Sequence, residues 1–260
     1  MPTSTVAPRR ARPAFIIVSF AVLLGAAACG GVAPTAVPAT ASATPSPSAT
    51  ESRTAEPVPS AEDSSGTGGL PRDGAVDPGT YRIAASPWLV ADFTVTFPEG
   101  WDVQYGNNFH TETGTGEEIG FMPLVVDEIW TEACAGSGSG AVEVGPGVDD
   151  LVAALIAQEG PDKGEPVATS LGGVEGTRID LRIPEGFDLH PCNVQDIGLQ
   201  ILYSRPADMN IVLQKGLLST FHVLDVAGKP QVFVTQVPDA ATDAERAAFQ
   251  TVLDSIRIEA

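Results

Sequence analysis

The chain has 260 residues and is strongly acidic, with 33 Asp and Glu residues against 14 Lys and Arg and a formal net charge of −19. A charge of this sign and size argues against nucleic acid and anionic membrane surfaces as partners, because both repel an acidic surface. Cations or basic proteins would be attracted, although a solvated acidic surface with no dedicated partner is the simpler interpretation.

Residues 1–28 have the layout of a secretory signal peptide. Three arginines precede an apolar run from Ala14 to Ala28, which is shorter than the roughly 20 apolar residues that a membrane span needs. Small residues stand directly before Cys29, and this arrangement resembles the lipobox, in which the cysteine is diacylated and becomes the mature N-terminus. The resemblance implies a lipid anchor at Cys29 on the outer face of the cell membrane. The alternative is an ordinary signal peptide cleaved after Ala28.

Residues 29–78 form a predicted linker. The segment is rich in Ala, Pro, Ser and Thr and has almost no aromatic or branched apolar residues. Such a composition cannot bury enough surface to offset the entropy of ordering, so disorder is predicted here. The linker would hold the rest of the chain away from the membrane.

Residues 79–260 are long enough for a single globular domain, and its first half reads as strands and loops. The turn Pro98–Gly100 predicts that the two strands flanking it form a hairpin, and Pro123 predicts an interruption in the next strand. The predicted strands cover Thr80–Ile83, Phe93–Phe97, Trp101–Tyr105 and Ile119–Val126.

A helix is predicted from Val148 onward, because apolar residues recur at helical spacing. Asp149 and Asp150 favour the start of the helix, and Gly160 with Pro161 favours its end. The apolar stripe consists of Val148, Leu151, Val152, Leu155 and Ile156.

The second half of the domain reads as paired strands followed by a second helix. Gly172 and Gly173 supply the positive φ angles of a hairpin turn. Thr242 with Glu245 predicts a capping box at the start of the last helix. The predicted strands are Pro166–Leu171, Val174–Ile183, Leu199–Tyr203, Asn210–Gln214, Thr220–Val226 and Gln231–Val237. Antiparallel pairs with two amphipathic helices predict an α+β fold, with the sheet on one side and both helices on the other.

Four segments carry a resemblance to known proteins: GVDDLVAAL, EPVATSLGGVEGTRIDL, LDVAGKPQVFV and AERAAFQTVLDSI. They are similar to uncharacterised surface lipoproteins of actinobacterial type and, more remotely, to the Mog1/PsbP-like α/β fold. The resemblance implies a Mog1/PsbP-like sandwich and an anchored location. Its motifs are structural, so it transfers no catalytic residue. That fold serves binding and accessory proteins more often than enzymes.

Two cysteines remain after Cys29, namely Cys134 and Cys192. An exported chain meets an oxidising environment, and an even pair of cysteines there predicts a disulfide. On the chain-entropy model, closing this loop would stabilise the domain by roughly 4 kcal/mol. A metal pair or a redox couple is the alternative, but the chain has no C-x-x-C motif and no histidine cluster of ligand spacing.

No catalytic or metal-binding motif is apparent, and no cofactor is predicted. His110, His190 and His222 lie in separate segments, and the serine- and glycine-rich stretch 136–140 lacks the pattern of a nucleophile turn. His222 is expected to face solvent or a polar neighbour. The acid pairs Glu117–Glu118 and Asp127–Glu128 could hold calcium, but they lack the pattern of a calcium loop, and a solvated acidic face is the favoured interpretation.

Two functions remain open at this point. The first is a non-catalytic lipoprotein whose acidic domain binds or assists an unknown partner in the cell envelope. The second is an extracytoplasmic hydrolase that uses carboxylates brought together by the fold. Acids converging in a pocket would favour the enzyme, whereas an exposed Trp88, Trp101 or Trp130 on a shallow surface would favour binding.

Overall fold

The computed structural model describes residues 69–132, 140–190, 192 and 198–260. Within these ranges the chain forms mostly antiparallel strands with two helices, so the α+β class is confirmed. No helix in the described part is long and apolar enough to span a membrane. In chain order the elements are β1 (Gly74–Val76), β2 (Gly79–Ile83), β3 (Asp92–Phe97), β4 (Trp101–Gln104), β5 (Asn108–Glu112), β6 (Glu118–Leu124), β7 (Glu128–Trp130), β8 (Ala141–Glu143), α1 (Val148–Ala157), β9 (Asp162–Lys163), β10 (Val167–Leu171), β11 (Val174–Arg182), β12 (Gly198–Ser204), β13 (Met209–Gln214), β14 (Leu217–Val226), β15 (Lys229–Pro238), α2 (Asp243–Ser255) and β16 (Arg257–Glu259).

The described strands form three sheets. The largest has nine strands in the order β1-β4-β5-β6-β15-β14-β11-β10, with β9 paired to β11. A four-stranded sheet has the order β13-β12-β7-β8, and a three-stranded sheet has the order β16-β3-β2. The two long strands β14 and β15 form a ten-residue antiparallel pair at the centre of the largest sheet.

Hydrophobic residues pack on both faces of the nine-stranded sheet. Along β14, Phe221 and Val223 belong to one core cluster, whereas Leu224 and Val226 belong to another. Alternate residues of a strand point to opposite faces, so the two clusters lie on opposite sides of the sheet. The first cluster includes α1 and the four-stranded sheet, and the second includes α2 and the three-stranded sheet.

The two helices therefore belong to different cores. Leu151 and Leu155 of α1 are fully buried in one cluster, and Phe249 and Val252 of α2 are buried in the other. The prediction that both helices lie on one side of the sheet is wrong, because amphipathic patterning shows that a helix has a buried face without showing which sheet face it covers.

The helix ends agree with the sequence at α2 and differ at α1. The Thr242 hydroxyl accepts the backbone N–H of Glu245, and the Glu245 carboxylate accepts the backbone N–H of Thr242, so the capping box is confirmed. Helix α1 ends at Ala157, three residues before the predicted glycine cap at Gly160. Its C-cap is Gln158, whose Nε2 donates to the carbonyls of Trp130 and Ile201, both at 2.6 Å.

The predicted hairpin through Pro98–Gly100 does not form. β3 pairs with β2 and β16, whereas β4 pairs with β1 and β5, so the turn carries the chain from one sheet to another. The rings of Phe97 and Trp101, at the two ends of this turn, lie 5.2 Å apart in the aromatic core. Packing of these two tilted rings against each other takes the place of edge pairing between the two strands. The interruption predicted at Pro123 is also absent, because β6 continues through that residue.

The folded domain begins before the predicted boundary at residue 79. Strand β1 pairs with β4, and Val76 is 3% exposed within the aromatic core. The carbonyl of Arg72 accepts the backbone N–H of Gly106 at 2.7 Å, and the Asp73 carboxylate accepts that of Tyr105 at 2.8 Å. The residues around β1 therefore belong to the domain and not to the linker.

Candidate functional site

A cleft of about 810 Å³ lies where five segments of the chain meet. Because it lies between loops at the ends of the strands, its walls come from distant parts of the chain. We call it the loop cleft. It is lined by Ala85, Ser86, Pro87, Leu89, Val90, Val125, Val126, Asp127, Glu143, Val144, Gly145, Pro146, Arg205, Lys229 and Pro230.

One wall of the loop cleft is a tight turn anchored by a buried amide. Ser86 and Leu89 exchange two backbone hydrogen bonds of 3.0 Å, and Leu89 is 2% exposed. Gln231 accepts the backbone N–H of Val90 at 2.7 Å and donates to the carbonyl of Leu124 at 2.9 Å. This wall is therefore fixed to the central sheet by hydrogen bonds. The Oγ atom of Ser86 is buried and makes no hydrogen bond within the described residues.

The opposite wall holds an arginine shared by three carboxylates. The Arg205 guanidinium donates to Glu128 through Nε at 3.0 Å and through Nη2, and Nη2 also donates to Glu143 at 2.9 Å. The backbone N–H of Arg205 donates to Asp127 at 3.0 Å. Glu128 and Glu143 face each other across β7 and β8, so the pairing of these strands holds both acids at the guanidinium. The pKa of Arg205 is raised above its ordinary value, chiefly because its guanidinium donates hydrogen bonds to Glu128 and then to Glu143.

Lys229 is the unpaired cation of the loop cleft. It is exposed at the turn between β14 and β15, where the Asp225 carboxylate accepts the backbone N–H of Gly228 at 2.8 Å. Among the described residues, the side chain of Lys229 makes neither an ion pair nor a hydrogen bond, whereas the guanidinium of Arg205 is paired with Glu128 and Glu143. Among the described residues of the cleft, Lys229 is therefore the one positive side chain that remains available to pair with an anionic group.

The lining of the loop cleft is mainly apolar. Its walls are mainly Val, Leu, Pro and Ala side chains, and a pocket of this kind with a few polar groups suits a small organic molecule. One carboxylate oxygen of Asp127 and one of Glu143 accept hydrogen bonds from Arg205. Within the described ranges, no group of three or more His, Cys, Asp or Glu residues could hold a metal ion.

The structure places the predicted site residues in several different regions. Cys29 and Cys134 lie outside the described residues, and so does most of the 136–140 stretch. Cys192 is 2% exposed and belongs to the core cluster that includes α1. The Cys134–Cys192 disulfide stays a prediction.

The three histidines do not converge, and their surroundings differ. His110 lies on β5, with its Nε2 3.6 Å from Glu118. His190 is exposed, and its backbone N–H donates to Asp188. His222 lies on β14, and burial lowers its pKa to about 4. The three side chains therefore do not form a common site.

The tryptophans do not form a binding surface together. Trp101 and Trp130 are buried, at 3% and 7% exposure, and Trp88 is half-buried beside Tyr105. Of the acid pairs considered for calcium, Asp127 and Glu128 interact with Arg205 instead.

Sequence reasoning missed the residues that define the loop cleft. Arg205 lies 77 residues from Glu128 and 62 from Glu143, so no local motif links them. The amino-acid composition does carry one signal for these residues. Arg205 and Lys229 are two of only 14 basic residues in an acidic chain, and each stands at the end of an apolar strand, where loops place functional side chains.

Comparison with known proteins gives no family. No protein family model matches the chain, and no curated protein matches it. Among solved structures, the chain is similar to the solution structure of cyanobacterial PsbP (CyanoP) from Synechocystis sp. PCC 6803, with a TM-score of 0.30 and 12% identity over 70% of this chain and 94% of that one. A likeness at this level carries no inference about fold or function.

Proposed function

We propose that this protein is a lipoprotein anchored through Cys29 on the outer face of the cell membrane, and that its acidic domain binds a ligand without catalysing a reaction. The support for the anchor is the arginine-led apolar run that ends at Cys29. The support for binding is the loop cleft, whose walls are apolar and whose acids are held by Arg205.

The single observation that indicates the ligand class is the free charge of Lys229 at an apolar cleft. The ligand is a small amphiphile with an apolar body and one anionic group. Its apolar part lies against Leu89, Val90 and Val144, and its anionic group lies near Lys229. The cavity volume is within the range of pockets that enclose drug-sized molecules.

The hydrolase hypothesis requires a carboxylate that is free to exchange a proton or attack a substrate. Asp127 and Glu143 are the acids of the cleft, and one oxygen of each accepts a hydrogen bond from Arg205, so a reacting substrate would have to use the second oxygen of either acid. Release of a product from a bound ester probe, lost on substitution of either acid, would favour the enzyme over the binding domain.

Decanoate, decan-1-ol and decylamine test the ligand class, with binding measured by calorimetry at low salt. We expect decanoate to bind more tightly than the other two probes. Lys229→Gln should lower decanoate affinity about two- to fivefold, the range for an exposed charge pair, and should leave decan-1-ol affinity unchanged. Lys163→Gln, on β9 outside the cleft, is the matched control.

Ala85→Trp tests the location of binding. Ala85 is exposed at the cleft wall and is fixed by its backbone N–H, which donates to Asp92, so a large side chain fills the cleft without removing that bond. This variant should abolish binding of decanoate and decan-1-ol alike. Equal binding of decylamine and decanoate, or unchanged binding by a folded Ala85→Trp variant, would refute the proposed site.

We further propose that the domain is a layered sandwich of the Mog1/PsbP type. The support is that the nine-stranded sheet carries a core cluster on each face, with one helix in each cluster. An experimental structure with both helices against the same sheet face would contradict this arrangement.

A further inference from the structure

A second depression lies at the free edge of the four-stranded sheet. Strand β13 is the last strand of that sheet, and among the described strands it pairs only with β12. Beside it is a cavity of about 310 Å³, lined by β13 on one side and by β5, β6 and β15 of the large sheet on the other. We call this region the β13 shelf. The shelf residues used below are Asn108, His110, Glu118, Gly120, Met122, Asn210, Val212, Gln214 and Gln236.

The backbone of β13 directs hydrogen-bonding groups toward the shelf. Nε2 of Gln236 donates to the carbonyl of Val212 at 3.3 Å, so this carbonyl points away from β12. The N–H and C=O of a strand residue point to the same side, and the side alternates along the strand. Asn210 and Gln214 therefore direct their backbone groups to the shelf as well. An open row of such groups is a template for an added strand.

The floor of the shelf is open and acidic. Gly120 contributes no side chain, and a Cβ there would lie 2.3 Å from the carbonyl of Phe109, so the neighbouring strand requires glycine. Glu118 faces Glu112 across β5 and β6, and its side chain is 61% exposed. Like charges directly opposite each other destabilise a strand pair, so a cation placed between them is favourable. Nε2 of His110 lies 3.6 Å from Glu118 but carries a charge only when it is protonated.

We propose that the β13 shelf binds an extended, basic segment of a partner protein, which adds a fifth strand to the four-stranded sheet. The backbone of the segment pairs with Asn210 and Gln214 and with the N–H of Val212, whose carbonyl already accepts the Gln236 amide. Its Lys or Arg side chains lie over Glu112 and Glu118. This partner site is separate from the loop cleft, so either site can be tested without the other.

The probe is a fluorescein-labelled decapeptide of alternating Val and Lys, with binding measured by anisotropy at low salt. A Val–Glu decapeptide is the charge control and should not bind. Two further Val–Lys peptides carry N-methyl groups on the odd or on the even residues, which removes hydrogen bonding along one edge of the strand at a time. One of them should lose at least about tenfold in affinity, the equivalent of one or two hydrogen bonds, and the other should bind nearly as well as the parent. Equal effects of the two methylation patterns would refute strand addition.

Protein variants locate the binding edge. Val212→Pro removes an N–H that faces the shelf and leaves the β12 pairing in place, because proline is tolerated on the free side of an edge strand. It should weaken binding of the Val–Lys peptide at least about tenfold. Glu118→Gln should weaken it about two- to fivefold, and Glu175→Gln on β11, outside the shelf, should have no effect.

Two control measurements detect misfolding of the variants and self-association of the protein. Circular dichroism and the thermal midpoint verify that Val212→Pro is folded, and Glu118→Gln provides the test if it is not. Sedimentation velocity establishes whether the free protein is monomeric. A dimer that Val212→Pro dissociates would assign the edge to a second copy of this chain and overturn the proposal. Unchanged peptide binding by folded Val212→Pro, or by Glu118→Gln, would also overturn it.

Discussion

Gln231 connects the hydrophobic core to the wall of the loop cleft, and its replacement by methionine tests that connection. The side chain is 1% exposed, accepts the backbone N–H of Val90 at 2.7 Å, and donates to the carbonyls of Leu124 at 2.9 Å and Val232 at 3.2 Å. Methionine has a similar length but cannot make these bonds. A lost hydrogen bond costs about 1 kcal/mol and an unmet buried partner about 1–3 kcal/mol, so we expect Gln231→Met to lower the free energy of unfolding by about 2–4 kcal/mol. For a domain of this size the thermal midpoint should fall by roughly 5–15 °C.

Urea unfolding and calorimetry measure this loss, and a second glutamine on α2 supplies the control. Gln250 is exposed and its amide donates only to Asp254, at 2.8 Å, so Gln250→Met should change stability by less than about 0.5 kcal/mol. Gln231→Met should also weaken decanoate binding, since Val90 lines the loop cleft. If the two variants are equally stable, the buried amide does not anchor the cleft wall.

Three further predictions concern other parts of the chain. Burial lowers the pKa of His222 from 6.5 to about 4. The unfolded chain therefore binds this proton more readily, and the free energy of unfolding should fall by about 2–4 kcal/mol as the pH drops from about 6.5 to 4. His222→Gln should remove this part of the pH dependence in urea unfolding, and an unchanged profile would contradict the assignment. A chain that starts at residue 79 lacks β1 and should be about 2–3 kcal/mol less stable than one that starts at residue 69, whereas equal stability would exclude β1 from the folded core. Mass analysis of the membrane fraction should find a diacylglyceryl group on Cys29, and an unmodified soluble chain would refute this. Non-reducing peptide mapping should recover the Cys134 and Cys192 peptides as one species, and two free thiols would refute the disulfide.

Local signals predicted the elements that depend on short-range interactions. The capping box at Thr242 and Glu245 forms because both partners lie within one helical turn. Gly172 and Gly173 adopt φ angles of 63° and 87°, as the turn between β10 and β11 requires. These features depend on residues close in sequence, so one chain is enough to recognise them.

Strand partners could not be predicted in the same way. Phe93, Val95 and Phe97 alternate with polar residues, which correctly indicates a half-buried strand. This alternation does not show which strand lies beside β3. The turn residues Pro98–Gly100 are compatible with a change of sheet as well as with a hairpin. The aromatic contact between Phe97 and Trp101 decides between them, and it depends on three-dimensional packing.

The loop cleft could not be predicted for a related reason, since its four charged residues come from four separate segments whose relative positions depend on strand order. One part of that order does leave a trace in the sequence. Along β15, Val232, Phe233 and Val234 are all buried, because a strand at the centre of a sheet with a core on each face has no solvent-facing side. A continuous apolar run therefore indicates a central strand, as it does in buried parallel sheets. In this chain Lys229 and Pro230 precede the run, separated from it by Gln231, so the unpaired lysine of the cleft lies at the turn end of the hairpin formed by β14 and β15.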